Sequence, residues 1–145
     1  VAFLTIDSNV ATEVLDTLTG ALNVGGAGTI RIYTQYRPST PETPIDGSTL
    51  LVEMALSSPA FQPAYVDSTL SVDEVKAVAN PIADGVIVAN GIANWARLVN
   101  GAGTPVIDVD VGLPTSDAII RLSSTNLISE NTVSVVSASF LIQHM

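Results

Sequence analysis

The hydrophobic period of the chain changes near residue 28, and the change divides it into a helical beginning and a strand-rich remainder. Val10, Val14, Leu18, Ala21 and Leu22 recur at the spacing that lines one face of a helix. Asp7 or Ser8 can cap it, and Glu13 and Asp16 lie in its first half, where the helix dipole favours negative charge. Gly20 or the Gly25-Gly26 pair can end it, so the pattern predicts a helix over residues 8–24 behind an apolar arm over 1–7.

From Thr29 the period becomes two. Ile30, Ile32, Thr34 and Tyr36 alternate with Arg31, Tyr33 and Gln35, as in a strand with one buried face. Arg37 to Ser48 holds three prolines and an Asp46-Gly47 turn and reads as a surface loop. Leu50, Val52, Met54 and Leu56 then share a face opposite Glu53. Pro59 and Pro63 oppose central-strand pairing, leaving Val75 to Ala79 as a short strand in an irregular stretch from Ser57 to Asn80.

Asp84-Gly85 and Asn90-Gly91 bracket Val86-Ile87-Val88 and suit type I′ hairpin turns. Ile92 to Val99 and Val106 to Val111 read as a hairpin joined by Asn100-Gly101-Ala102-Gly103. Ala118 to Ser123 follows, then Thr132 to Ile142, where Val133 and Val135 share one face before Val136, Ala138, Phe140 and Ile142 do. That change of phase predicts a β-bulge.

Seven or eight short strands without interleaved helices predict an all-β fold, a two-layer β-sandwich or jelly roll over 29–142 with one short N-terminal helix. The 145 residues suit a single domain, 1–145. Ile30, Ile32, Leu50, Val52, Met54, Ile107, Val109, Phe140 and Ile142 are its expected core.

Composition narrows the function. The chain is 47% hydrophobic and 13% charged, which excludes disorder, yet no apolar run reaches the roughly 18 residues that span a bilayer. Val1 to Ile6 lacks a basic flank and stops at Asp7, too short for a secretory segment, so no export signal is expected. Without cysteine there is no disulfide or thiolate metal site, which fits synthesis in a reducing cytoplasm. The net charge is −9, and Arg31, Arg37, Lys76, Arg97 and Arg121 are scattered. Phosphate backbones need clustered cations, so neither nucleic acid nor an anionic membrane is an expected partner.

Candidate chemistry is sparse. Gly25-Gly26-Ala27-Gly28 precedes a strand, whereas a phosphate loop must follow one and open a helix, so it reads as a helix terminator. His144 is the only histidine and has no nucleophile fixed beside it. Asp108 and Asp110 share one side of a strand. With Asp117 they could bind a hard cation, but without a calcium loop they read as solvated acids. Trp95 and Arg97 share one strand face and are either an interface anchor or part of the sandwich core. No catalytic residue, cofactor or metal site is assigned, and no enzyme is expected.

Several segments carry a family likeness: Gly28-Thr29-Ile30-Arg31-Ile32-Tyr33-Thr34, Ser58-Pro59-Ala60-Phe61, Trp95-Ala96-Arg97-Leu98-Val99, Gly101-Ala102-Gly103-Thr104-Pro105-Val106-Ile107-Asp108 and Val133-Ser134-Val135. Together they resemble small virion structural proteins of tailed bacteriophages, from about Gly28 to Phe140. The likeness rests on strand and turn patterns, and the chain departs from it in a longer, proline-containing stretch between Phe61 and Asn80. It implies a β-sandwich or jelly-roll virion component of the head decoration, or cement, kind.

The expected function is accordingly a capsid-stabilising protein that acts without chemistry. It would sit on the capsid exterior as a homotrimer, bound to the major capsid protein, after assembly in the host cytoplasm. Val1, Phe3, Leu4, Ile6, Trp95 and Arg97 are the candidate subunit contacts. The alternative is a tail-associated module that binds cell-surface carbohydrate through Trp95 or Tyr65.

Overall fold

The computed structural model describes residues 6–68 and 73–144. Helix α1 spans Ser8–Gly20 and continues into a 3₁₀ turn, Ala21–Asn23. Asp7 is the cap, its carboxylate accepting the Asn9 N–H at 2.9 Å, one of the donors that a helix start leaves without an intrahelical partner. The chain then turns through Gly25 and Gly26, whose φ angles of 80° and 111° suit glycine.

The inward face of α1 is not the expected one. Leu22 is buried as expected, but along the helix itself Ala11, Leu15 and Thr19 are buried, whereas Val10 and Val14 remain 48% exposed and Leu18 and Ala21 are partly covered. The two stripes lie one residue, or about 100°, apart on the helix, and both carry apolar residues. Ala11 lets the backbone approach the sheet closely, and the Thr19 hydroxyl is satisfied inside by the Leu15 carbonyl at 3.0 Å.

Among the described residues twelve strands follow: β1 Thr29–Tyr33, β2 Leu50–Ala55, β3 Tyr65–Asp67, β4 Asp73–Val78, β5 Gly85–Val86, β6 Gly91–Ile92, β7 Trp95–Val99, β8 Pro105–Gly112, β9 Ile120–Leu122, β10 Asn126–Leu127, β11 Thr132–Val133 and β12 Val135–His144. Eight of them form one sheet in the order β2-β1-β7-β8-β9-β12-β4-β3. Its pairings are antiparallel except β8 with β9, parallel at Val111↔Ile120. The two halves of the sheet share one core. Ile30, Val52 and Leu98 from one half join Val75, Leu122 and Phe140 from the other, with Leu15 and Leu22 of the helical segment among them. The fold is an all-β sandwich with one short N-terminal helix.

The expected core holds at Ile30, Ile32, Val52, Met54, Val109 and Phe140, but Leu50, Ile107 and Ile142 are only partly buried. At β2 the reason is a slip of register: Ile32 faces Val52 and the next residue, Tyr33, faces Leu50, so the extra residue Leu51 turns inward and is 0% exposed. The bulge expected in β12 is present, the pairing with β9 jumping from Val135 to Ser137. It leaves Val136 56% exposed, off the face that Ala138 and Phe140 bury.

A narrow ribbon lies beside the sheet. Residues 85–92 run antiparallel to 126–133, with Val86 opposite Thr132, Gly91 opposite Leu127 and Ile92 opposite Asn126. Between these pairs the Ile87 N–H donates to Asn131 O at 2.8 Å and the Glu130 N–H to Ile87 O at 2.9 Å. The ribbon packs on β2, where the Val88 N–H reaches Leu51 O at 2.8 Å.

Gly85 and Gly91 are therefore strand residues rather than hairpin turns. A Cβ on Gly85 would stand 2.5 Å from Val52 Cγ2, and one on Gly91 2.8 Å from Thr34 Cγ2, so both are glycine because the ribbon lies too close for a side chain. The single strand expected over Ile92 to Val99 is likewise broken at Ala93 and Asn94, where the chain crosses from ribbon to sheet.

Candidate interaction surfaces

The Arg37 to Ser48 loop covers the outer face of β1 and β7 and buries what the sequence left open. Across β2, β1, β7 and β8 the cross-strand partners are Glu53, Arg31, Arg97 and Asp108, a row with its cations in the middle and an acid at each end. The Arg31–Glu53 pair, at 3.0 Å, has side chains 40% and 47% exposed and contributes little in water. Arg97 and Asp108 are different, with side chains 6% and 5% exposed.

Arg97 donates from Nε to Asp108 Oδ1 at 2.8 Å and from a terminal nitrogen to Oδ2 at 2.9 Å. It also reaches the carbonyls of Thr43 at 3.1 Å and Thr40 at 3.3 Å, pinning the loop to the sheet. The two-pronged bond to Asp108 raises the Arg97 pKa above its ordinary value, against the opposing effect of burial. The guanidinium carbon stands 5.5 Å from the centre of the Trp95 ring, which stacks on Tyr33 with centroids 4.7 Å apart. Trp95 Nε1–H donates to Thr34 O at 3.1 Å. Burial chiefly raises the Tyr33 phenol above its usual pKa.

This geometry decides between the two readings of Trp95 and Arg97. They are 2% and 5% exposed, the loop covers them, and as candidate subunit contacts they are corrected to internal residues that hold the loop. Trp95 is no open platform for a sugar, while Tyr65 is 43% exposed at the edge strand β3. The solvated reading of Asp108 is corrected with them. Its lone sequence neighbour in phase, Asp110, is exposed and accepts the Ile119 N–H at 3.2 Å. Among the described residues no group of three or more His, Cys, Asp or Glu is placed to hold a metal ion.

The Gly25–Gly28 turn packs against the β7–β8 connection, the Ala102 N–H donating to Val24 O at 3.1 Å. The backbone of His144 closes β12 opposite Asp73. Ile6 packs against the protein's own core rather than standing out as a contact, and Val1, Phe3 and Leu4 lie outside the described residues. Among the described residues no buried side-chain nitrogen or oxygen lacks a hydrogen-bond partner.

Several exposed apolar side chains gather on the ribbon. On the ribbon, Ile87, Leu127 and Val133 are buried, while Val86, Val88, Ile92 and Ile128 point away, 59%, 63%, 60% and 54% exposed. Tyr36, 90% exposed, borders Ile92 across a shallow depression of about 380 Å³ completed by Thr34, Gln35 and Asn94. Gln35 holds a positive φ of 63° at the end of β1, the bend after which Tyr36 stands outward. The sequence marked Val86 to Val88 as a strand but not its partner at 126–133, so this face could not be drawn from it. Comparison with protein-family models, curated proteins and solved structures finds no match.

Proposed function

We propose that the chain is a non-enzymatic structural subunit of a bacteriophage particle, a decoration or cement protein. In this reading it sits on the outside of the head as a homotrimer and stabilises the shell through the major capsid protein. The observation that carries the reading is the outer face of the ribbon, where Val86, Val88, Ile92 and Ile128 are each more than half exposed on two segments held together by strand pairing at both ends. Side chains of this kind gathered on one element favour contact with another protein. Covering all four is worth on the order of 5 kcal/mol in apolar burial. The net charge of −9 favours solubility before assembly and disfavours the packaged genome.

The test is removal and add-back. Particles stripped of the protein should lose resistance to heat and osmotic shock and regain it with the wild-type chain but not with Val88→Asp or Ile92→Asp. Binding should survive salt near 1 M, where the Debye length is about 3 Å. Stripped particles that keep their full resistance would remove the cement role, and a copy number of a few tens or fewer per particle would favour the tail-associated carbohydrate module instead.

A further inference from the structure

Two acids interrupt the apolar outer face of the ribbon. Along 84–92 every second residue is exposed: Asp84, Val86, Val88, Asn90 and Ile92. Glu130, also exposed, joins them from the other segment. Its N–H donates to Ile87 O at 2.9 Å, which sets it beside Val88, and it lies between the paired ends Val86↔Thr132 and Ile92↔Asn126. Neither 84–92 nor 126–134 contains a lysine or an arginine. Among the described residues the carboxylates of Glu130 and Asp84 make no ion pair and no hydrogen bond.

Glu130 also stands where the backbone favours glycine. Its φ is 74°, in the left-handed region that residues with a side chain seldom adopt. The turn that imposes this conformation is tied down around it, with the Asn131 N–H donating to Ile128 O at 3.2 Å and the Ser129 N–H to Asn90 Oδ1 at 2.7 Å. Glycine takes such a conformation without strain. The glutamate makes no side-chain bond within the described residues that offsets it.

We infer that the surface covering the ribbon is apolar and carries a lysine or arginine that meets Glu130. The inference rests on the capsid reading, in which that surface belongs to a protein of the shell. A body that covers Val86, Val88, Ile92 and Ile128 also covers Glu130, and a carboxylate taken out of water without a counter-charge is strongly disfavoured. The ribbon holds no cation of its own, so the partner must supply one. A second copy laid ribbon to ribbon cannot, because it brings acids against a face that also lacks cations. Apolar burial supplies the affinity, and the ion pair selects the partner and fixes its placement. Enclosed in this way the pair is little screened, in keeping with binding that persists at high salt.

The experiment measures binding of the full chain to particles stripped of it, alongside the urea midpoint of each variant. Glu130→Gln keeps the shape and removes the charge, and should bind at least about tenfold more weakly than the wild type, with Glu130→Lys weaker still. Glu130→Gly should raise the urea midpoint and yet bind at least about tenfold more weakly, a separation that a glutamate of structural use alone would not give. Glu13→Gln, at an exposed acid on α1, is the control and should bind like the wild type. A wild-type chain that binds no stripped particle, or binding that survives Val88→Asp, overturns the docking of the ribbon on the shell and this inference with it. Binding that is lost in Val88→Asp but kept in Glu130→Gln or Glu130→Gly overturns this inference alone.

Discussion

Replacing Asp108 with alanine should be among the most damaging single changes in this protein, although the sequence alone marks the residue as a solvent-facing acid. The variant removes both acceptors from a guanidinium whose side chain is 6% exposed and leaves the cation with only the Thr40 and Thr43 carbonyls. Stripping one partner from a buried pair costs about 3–5 kcal/mol, far above the roughly 0–1 kcal/mol of an exposed pair such as Arg31–Glu53. Urea unfolding followed by the fluorescence of Trp95, the only tryptophan, reads the loss directly. Arg97→Met should cost a similar amount, whereas Arg97→Met with Asp108→Leu should be less destabilised than the sum of the single variants by at least about 2 kcal/mol, since no charge is left buried. The loop supplies a second readout. With its anchor lost, the bond after Glu42 should be cut faster by a glutamate-specific protease in Asp108→Ala than in the wild type under native conditions. Single variants costing less than about 1 kcal/mol, with unchanged proteolysis, would refute the claim that this pair holds the loop to the sheet.

Three further outcomes follow from the packing. Gly85→Ala should cost about 1–3 kcal/mol in urea unfolding, because its Cβ would press on the buried side chains of Val52 and Met54 at 2.5 and 2.6 Å. Leu15→Ala should cost about 2–5 kcal/mol while Val10→Ala stays within about 0.5 kcal/mol, the reverse of what a helix buried on its Val10–Val14 face would give. The raised pKa of the Tyr33 phenol means that its stabilising effect is fully present below the ordinary value of about 10 and is lost as pH rises through the higher folded value. The stability gap between pH 9 and pH 11 should therefore shrink in Tyr33→Phe relative to the wild type, measured by urea midpoint.

The sequence by itself determined the class of the fold and much of its punctuation. Two-residue alternation at Ile30 and Ile32 and at Val52 and Met54 fixes which side of those strands is apolar, because side chains on a strand must point alternately. The cap at Asp7, the glycine exit at Gly25 and Gly26 and the bulge in β12 were legible for the same reason, since each is a local backbone demand met by nearby residues. Tertiary structure decided everything that needs a distant partner. Helix α1 carries two apolar stripes one residue apart, and only the sheet beneath it selects Ala11 and Leu15 over Val10 and Val14. Asp108 alternates like a wet residue and is dry because a loop some 65 positions away in sequence, at Thr40 and Thr43, folds across Arg97. The exposed ribbon face exists because 85–92 pairs with 126–133. Periodicity records which side of an element is apolar; whether that side meets core, loop or a second molecule is set by contacts that no local window of sequence contains.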